Sequence, residues 1–460
     1  MSAIETEVWS KSKWLIKGGI IAFLVLLLMI PTNYVQQLIY EREARQKEAI
    51  AEISSKWAGR QIFTGPIVVL PFWQTEGDSL VKKVRTKHYA FFLPDELSIK
   101  ATVTPREKYR GIYKVMLYNS TIQINGSFKK IDIEKINVLP GDIIWPEAFV
   151  KLGIADVKGL NEEGILYWND QPLLLSPQSF NDRSGNMGLT SSLPVMNGNS
   201  LNNIRFSARL DINGSEQILF TPVGKSTNIS LTSSWPHPSF IGDILPQESH
   251  IKDTGFTATW KSIAHKRPFP QQWKDDAYTI AYFPRLHEGS TQYRNIEVAP
   301  ASVGNNLTAS AFGAGLFVPV NGYQKTMRSV KYAVLCILLT FAAFFLIETT
   351  NKRSVHPFQY GLIGLALVLF YILLLSFTEY IGFNWSYIIA STATIGLIAW
   401  YVPGILSSNR LSGLLTIVLV LIYTYIFTIL QLQDFSLLFG SIGLFITLAV
   451  IMYFSRKIQW

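Results

Sequence analysis

The chain has 460 residues, a charged fraction of 16%, an aromatic fraction of 13% and a formal net charge of +9. That length allows two or three domains, and the low charge speaks against a wholly water-soluble protein. The positive balance does not indicate nucleic-acid binding: no Lys/Arg-rich stripe is present, and part of the excess lies in short loops beside apolar blocks, where membrane orientation accounts for it. The single cysteine, Cys336, excludes a disulfide framework and a cysteine metal site.

In chain order, residues 1–17 carry Lys11, Lys13 and Lys17 and lead into an apolar block over 18–35. No small-x-small cleavage site follows it. Pro31, Thr32, Asn33 and a charged helical stretch do, so the block reads as an uncleaved first transmembrane helix rather than a signal peptide. Residues 36–58 have helical apolar spacing through Leu38, Ile39, Ala49, Ile53 and Trp57, with Glu41/Arg45 and Glu43/Lys47 as i,i+4 pairs. They predict a membrane-proximal helix. Whether it carries a face of the following domain or stands as a solvated stalk is open at this point.

Residues 59–328 turn to strand signals. Ile67-Val68-Val69-Leu70 is a short β-branched run; Ile204, Phe206, Ala208, Leu210 and Ile212 alternate with polar residues, as do Phe256, Ala258 and Trp260. Pro105-Arg106, Asn125-Gly126, Asn197-Gly198 and Asn213-Gly214 read as turns, and 184–203 as a mobile surface loop. Together they predict an antiparallel β-sandwich. Tyr118 to Ser127 is similar to Phe206 to Ser215, which fits either two stacked β modules or a coincidence of hairpin signals.

The most constrained stretch begins at Trp235-Pro236-His237-Pro238 and continues through Phe240 and Asp243 to Pro246. Its three prolines each fix φ and restrict the residue before, so it cannot be a central strand. Two readings are open: a rigid ledge presenting Trp235, His237, Phe240 and Asp243 to a ligand, or a loop that buries Trp235 and Phe240 to cap the sandwich. Without a His-x-x-x-His pair or a carboxylate cluster, the sequence supports neither a metal site nor a cofactor. Signatures of serine hydrolases, zinc proteases and nucleotide-binding loops are missing as well.

Residues 329–460 form five blocks of membrane-spanning length at 330–347, 360–377, 385–402, 414–430 and 435–454, a five-helix bundle with a C-terminal tail. The connecting loops alternate: Lys352-Arg353 and Arg410 on one side, Glu379 and Asp434 on the other, with Arg456 and Lys457 at the end. The positive-inside rule puts both termini in the cytoplasm and residues 59–328 outside it. Arg328 and Lys331, on the exported side, are expected to snorkel to head groups. Glu348, His356, Gln359 and Glu379 mark the ends of spans, where interfacial anchoring competes with a functional role, and Glu348 and His356 flank one short loop across which they could pair. No matched pair of broken helices points to a transporter site.

Several stretches resemble one family. They are Gly65-Pro66-Ile67-Val68-Val69-Leu70-Pro71, Arg110-Gly111-Ile112-Tyr113, the segment from Trp235 to Pro246, and His356-Pro357-Phe358-Gln359-Tyr360 with Glu379. The chain resembles the CreD family of bacterial inner-membrane, cell-envelope integrity proteins from about residue 15 onward. The resemblance implies an inner-membrane protein with a periplasmic domain, a link to a two-component system and to β-lactam stress, and no established enzymatic reaction. The expectation is therefore a membrane protein of α plus β type: six transmembrane helices with a periplasmic β-sandwich between the first and second. Its role would be non-catalytic, in envelope integrity or stress response, with the lipid bilayer and envelope proteins or peptidoglycan as partners. A transporter or lipid-handling protein, and an enzyme acting on an envelope polymer, stand as alternatives.

Overall fold

The computed structural model describes residues 2–76, 84–179, 187–194, 202–280, 306–316, 322–350, 355–406, 408–432, 438–443, 445, 449 and 452, without the side chains of 2–15, 76, 178, 179, 187 and 350. The chain divides into two compact units, residues 1–48 with 320–460, and residues 49–319.

The first unit is helical. Helix α1, Ser2–Trp57, runs unbroken where a span and a separate second helix were expected, with Pro31 inside it. Proline removes one backbone donor there. The neighbouring Thr32 hydroxyl donates to the Leu28 carbonyl at 2.8 Å. Helices α2, Gly322–Lys331, and α3, Ala333–Thr350, meet at a 42° bend, and α4, Pro357–Ile381, α5, Phe383–Leu406, and α6, Asn409–Gln431, follow. Among the described residues four helices are long and apolar enough to cross a membrane, five if the bent pair is one span. The sixth expected span, 435–454, falls largely outside the described residues. Large apolar side chains such as Phe23, Leu26, Leu369, Trp400 and Leu421 are exposed, which suits a lipid solvent and no aqueous one. Inside the bundle, Phe370 meets Tyr371, Tyr387 and Tyr423 edge-on at 4.8–5.3 Å, knitting α4, α5 and α6. Gly364 is the point of close approach to α1, since a methyl group there would collide with Leu28.

The second unit is β-rich. Its strands are β1 Gln61–Glu76, β2 Val84–Phe92, β3 Glu96–Arg110, β4 Tyr113–Lys130, β5 Phe149–Ile154, β6 Gly164–Trp168, β7 Gln171–Ser179 and β8 Met187–Ser192. There follow β9 Asn202–Ser215, β10 Gln217–Phe220, β11 Ser226–Ser233, β12 Pro238–Gly242, β13 Glu248–Lys252, β14 Gly255–Ile263, β15 Gln272–Lys274 and β16 Phe312–Leu316. The main path runs β12-β16-β10-β1-β5-β8-β7-β6-β9-β4-β3-β11-β14-β13. Two of its pairings, β1 with β10 and β3 with β11, are parallel, so the expected purely antiparallel arrangement does not hold.

The path's two end strands, β12 and β13, are joined by only residues 243–247. That link reaches at most about 20 Å, whereas fourteen strands laid flat would extend roughly 60 Å. The sheet therefore folds back on itself. Accordingly Val68 and Leu70 of β1 share one contiguous core with Ile99 of β3, Ile229 of β11 and Trp260 of β14.

Three expected turns lie within strands. Pro105-Arg106 falls in β3, Asn125-Gly126 in β4 and Asn213-Gly214 in β9. The two similar segments pair with each other antiparallel, Tyr118 opposite Gly214 and Phe206 opposite Gly126. A methyl group on either glycine would strike the facing ring, so each glycine is a recess for the other copy's aromatic side chain. The similarity thus belongs to neighbouring strands of one sheet and not to two stacked modules. Strand β8 likewise occupies part of the stretch read as a loop over 184–203, while Asn197-Gly198 lies outside the described residues.

Across β14, β11, β3 and β4 the register is continuous. Inward rows such as Trp260–Ile229–Ile99–Ile124 are buried. The outward row beside it reads Thr259–Ser230–Lys100–Gln123, and the next Thr257–Thr232–Thr102–Thr121.

Candidate functional site

The proline-rich segment divides its residues between core and solvent. Trp235 is buried; its ring N–H donates to the His237 carbonyl at 2.9 Å. Phe240, on edge strand β12, packs edge-on against Phe256 at 5.9 Å and Trp260 at 5.7 Å. Proline is tolerated there because it opens an edge strand. His237 and Asp243 are exposed, and no hydrogen bond joins them. Of the four residues expected to form a ledge, two thus fill the core and two face solvent separately. Among the described residues no group of three or more His, Cys, Asp or Glu side chains could hold a metal ion.

Immediately after Asp243 the chain borders a half-open surface cavity of about 370 Å³ lined by Ile244, Leu245, Gln247, Lys261, Ile263 and Lys266. It lies where β13 stops short along β14. In an antiparallel ladder alternate residues turn their backbone groups to the same neighbour. Glu248 and His250 of β13 pair with Thr259 and Thr257, so Lys261 and Ile263, next in that alternation, present their N–H and C=O beyond the end of β13. Leu245 is 72% exposed and Ile263 44%, an apolar rim flanked by two ammonium groups. Sequence reading missed this wall; its one signal was Ile263, an apolar residue on the outward phase of β14. Close by, Arg267 is buried with Nε and Nη1 unpaired, its guanidinium over the Phe269 ring at 4.5 Å and a hydrogen bond to Gln271. Burial pulls its pKa down to about 10.

A second polar constellation was also missed. Thr86 Oγ1 lies 2.8 Å from His88 Nε2, and His88 Nδ1 lies 2.9 Å from Asp275 Oδ2. The other Asp275 oxygen accepts from the Tyr89 N–H at 3.0 Å, and Asp275 holds a left-handed φ of 50°. Hydroxyl, imidazole and carboxylate in series are the arrangement that activates hydroxyl nucleophiles. The Gln74 carbonyl, 3.3 Å from Thr86 Oγ1, competes for the same proton.

In the helical unit the four span-end residues separate into latches and caps. Glu348 is 1% exposed, buried among its protein partners. It pairs with Lys17 of α1 and accepts from the Val355 N–H at 2.8 Å and the Tyr360 hydroxyl at 2.9 Å. The expected partner, His356, instead caps α4: its Nδ1 accepts from the Phe358 N–H at 3.2 Å, while Gln359 Oε1 accepts from the His356 N–H at 3.0 Å. Glu379 accepts from the Tyr323 hydroxyl at 3.0 Å and faces Arg42 Nε of α1 at 3.8 Å. Lys17 and Arg42 are separated by a helical rise of roughly 38 Å, somewhat more than a hydrocarbon core of ~30 Å. The two carboxylates therefore hold α1 near the opposite edges of an apolar slab.

Against known proteins, a family model described as "Inner membrane protein CreD" matches residues 13–460. The inner membrane protein CreD of Escherichia coli (strain K12) is 30% identical over 441 residues, 95% of this chain and 91% of the relative. Among solved structures, an M1 zinc metallopeptidase from Deinococcus radiodurans covers 37% of this chain and 39% of its own at 10% identity, with a TM-score of 0.18, too low to carry a structural argument.

Proposed function

Because the chain belongs to the CreD family of inner membrane proteins, we propose that it is a non-catalytic, multi-pass component of envelope integrity or the envelope-stress response, whose β unit binds a ligand or partner and reports it to the bundle. In this reading the bundle has six spans, both termini are cytoplasmic, and the β unit is a two-layered periplasmic domain. The observation that carries the reading is α1. One unbroken helix contributes residues to both units and is fastened in each by that unit's own contacts. The cavity at Leu245 and Lys261 is the natural receptor, since its rim joins the proline-stiffened segment to the end of a long sheet path. The two-component link and the envelope partners come from the family resemblance.

Two measurements test this. Leu245→Cys in a Cys336→Ala background should react with a membrane-impermeant maleimide from outside the inner membrane; reaction only after the inner membrane is breached would invert the topology. Leu245→Asp with Lys261→Glu should abolish complementation of a deletion strain under β-lactam challenge while the protein accumulates normally. Full complementation would remove the cavity from the function.

The Thr86–His88–Asp275 series favours one second reading, an acyl-transfer enzyme acting on an envelope polymer. A fluorophosphonate probe should then label Thr86 in the purified full chain, and Thr86→Ala and His88→Gln should abolish labelling. An unlabelled, folded protein would dispose of it.

A further inference from the structure

The middle of the outward face of β14, β11, β3 and β4, in the rows through Ser98, Lys100 and Thr102, is an array of hydrogen-bonding groups with little charge. Thr257, Thr232, Thr102 and Thr121 stand opposite one another on four successive strands. In the parallel rows, Asn228, Ser98 and Asn125 flank them with Ser230 and Gln123, and Lys100 is the single cation among these inner positions. Ordinary solvated faces carry roughly a quarter to a third Lys, Arg, Glu and Asp; here formal charge surrounds these inner rows, at Glu248 of β13 and Lys261 on one side, at Arg209 and Asp211 of β9 on the other, and at Glu96, paired with Lys129, in the next row along β3.

The donors and acceptors are also unspent. Thr121 is bonded to Asp211 at 2.6 Å. The hydroxyls of Thr102, Thr232 and Thr257 and the amides of Asn125 and Gln123 have no protein partner among the described residues. Paired strands hold them at a fixed spacing of about 4.8 Å, so a ligand that matches the spacing loses little entropy in ordering them.

The face excludes several partners. A protein interface of useful affinity needs buried aromatic or aliphatic anchors; the inner positions on β14, β11, β3 and β4 have none, and the exposed Ile165, Tyr167 and Leu174 lie at the far end of the rows on β6 and β7. A nucleic acid or an anionic membrane surface needs clustered cations, and one lysine does not supply them. What fits is a partner that is itself neutral, extended and dense in hydroxyl and amide groups. We propose that this face is a docking surface for a glycan strand, a polymer of hydroxylated and N-acylated sugar rings. Two strands beyond Asn125 in the same row, past Ser207, stands Tyr167 of β6, 45% exposed, an aromatic face on which the apolar side of a pyranose can rest. The proposal extends the envelope role above and depends on the exported placement of the β unit in the cell, but the binding itself can be measured without it.

The test uses the purified full chain in zwitterionic nanodiscs, co-sedimented with purified peptidoglycan sacculi and, separately, incubated with glycan strands from which an amidase has removed the stem peptides. Two variants probe the face. Thr102→Glu with Thr232→Lys places opposite charges directly across the ladder, which preserves the sheet, while covering the hydroxyl rows. Thr102→Val with Thr232→Val removes the hydroxyls and keeps the β-branched shape. The native chain should bind both preparations, and each variant should lose at least fivefold in bound fraction with an unchanged thermal transition. Binding to intact sacculi but not to stripped strands would assign recognition to peptide and overturn the proposal. So would no binding at all, or undiminished binding by both variants. None of these results bears on the cavity, whose own test is complementation by the Leu245 and Lys261 variants.

Discussion

The ion pair between Lys17 and the buried Glu348 can be measured. Removing one member of a buried pair costs about 3–5 kcal/mol when the other charge is left stranded. Lys17, however, keeps 17% of its side chain exposed, so its ammonium can turn toward head groups, and hydrogen bonds inside membrane bundles average only about 0.6 kcal/mol. Glu348→Gln keeps one oxygen to accept from the Val355 N–H, presents an NH2 that the Tyr360 hydroxyl can turn to accept from, and loses the counter-charge. The expected cost is about 1–2 kcal/mol. Lys17→Met leaves the carboxylate buried without its cation and should cost about the same or slightly more. Combined, the two replacements strand no charge, so the double variant should recover about 1 kcal/mol relative to the sum of the singles. Steric-trapping or detergent-unfolding equilibria of the full chain in micelles can resolve that difference. Strict additivity of the two substitutions would mean that the carboxylate and ammonium do not meet, and the latch would be withdrawn.

Two further outcomes follow from the β unit. Gly214→Ala should cost about 1–3 kcal/mol by overpacking against the fully buried Tyr118 ring, whereas Tyr118→Phe, which gives up the 2.7 Å hydrogen bond to the Gln217 carbonyl, should cost about 1 kcal/mol; tryptophan-monitored unfolding compares them, and a silent Gly214→Ala would refute the recess. Arg267→Met should raise the melting temperature, because the arginine is buried with two unpaired donors and a packed apolar side chain of similar length is not penalised in that way. The sign with pH is fixed: folding lowers this pKa from its ordinary guanidinium value to about 10, so the penalty is full below pH ~10 and shrinks as pH rises toward the unfolded value. The gap between variant and native chain should therefore be flat through neutral pH and narrow only above pH ~10; a gap that widens there would contradict the burial argument.

How much was legible follows from where the information resides. Helices α4, α5 and α6 could be read because apolar length is a property of the segment alone. The alternation in β9 and β14 could be read because burial of one sheet face repeats every second residue. Asn125-Gly126 and Asn213-Gly214 were misread as turns because each glycine answers to a ring on the other segment, Phe206 or Tyr118, and local turn chemistry cannot see across strands. Glu348 was paired with its sequence neighbour His356 for the same reason, while its partner Lys17 lies 331 positions away. The folded-back sheet path was hidden because parallel pairings such as β3 with β11 join distant segments. The proline-rich segment was legible as stiff and edge-bound; the cavity wall beyond it depends on where β13 stops, which no local pattern records.

The fastening of α1 supplies the last prediction. In the helical unit the helix is held by Lys17 to Glu348, by Leu28 at Gly364 and by Arg42 to Glu379. In the β unit its final turns are held by Glu52 to Arg110 at 2.9 Å, and the backbone that follows by the Gly59 N–H to Asp156 at 3.0 Å. If the β unit reports a ligand to the bundle as proposed, the signal would pass along the helix as axial and bending displacement that a flexible tether would absorb, and only while the stretch between these anchors stays helical. Glu48 and Ala51 are exposed on that stretch and bear none of the anchoring contacts. Replacing both with glycine costs about 1 kcal/mol per site in helix propensity and removes no latch. Both units should keep their thermal transitions, the cavity should stay intact, and complementation under envelope stress should be lost. Full complementation by a chain with both glycines would show that the units act independently, and the coupling through α1 would fail even if ligand binding at the cavity were real.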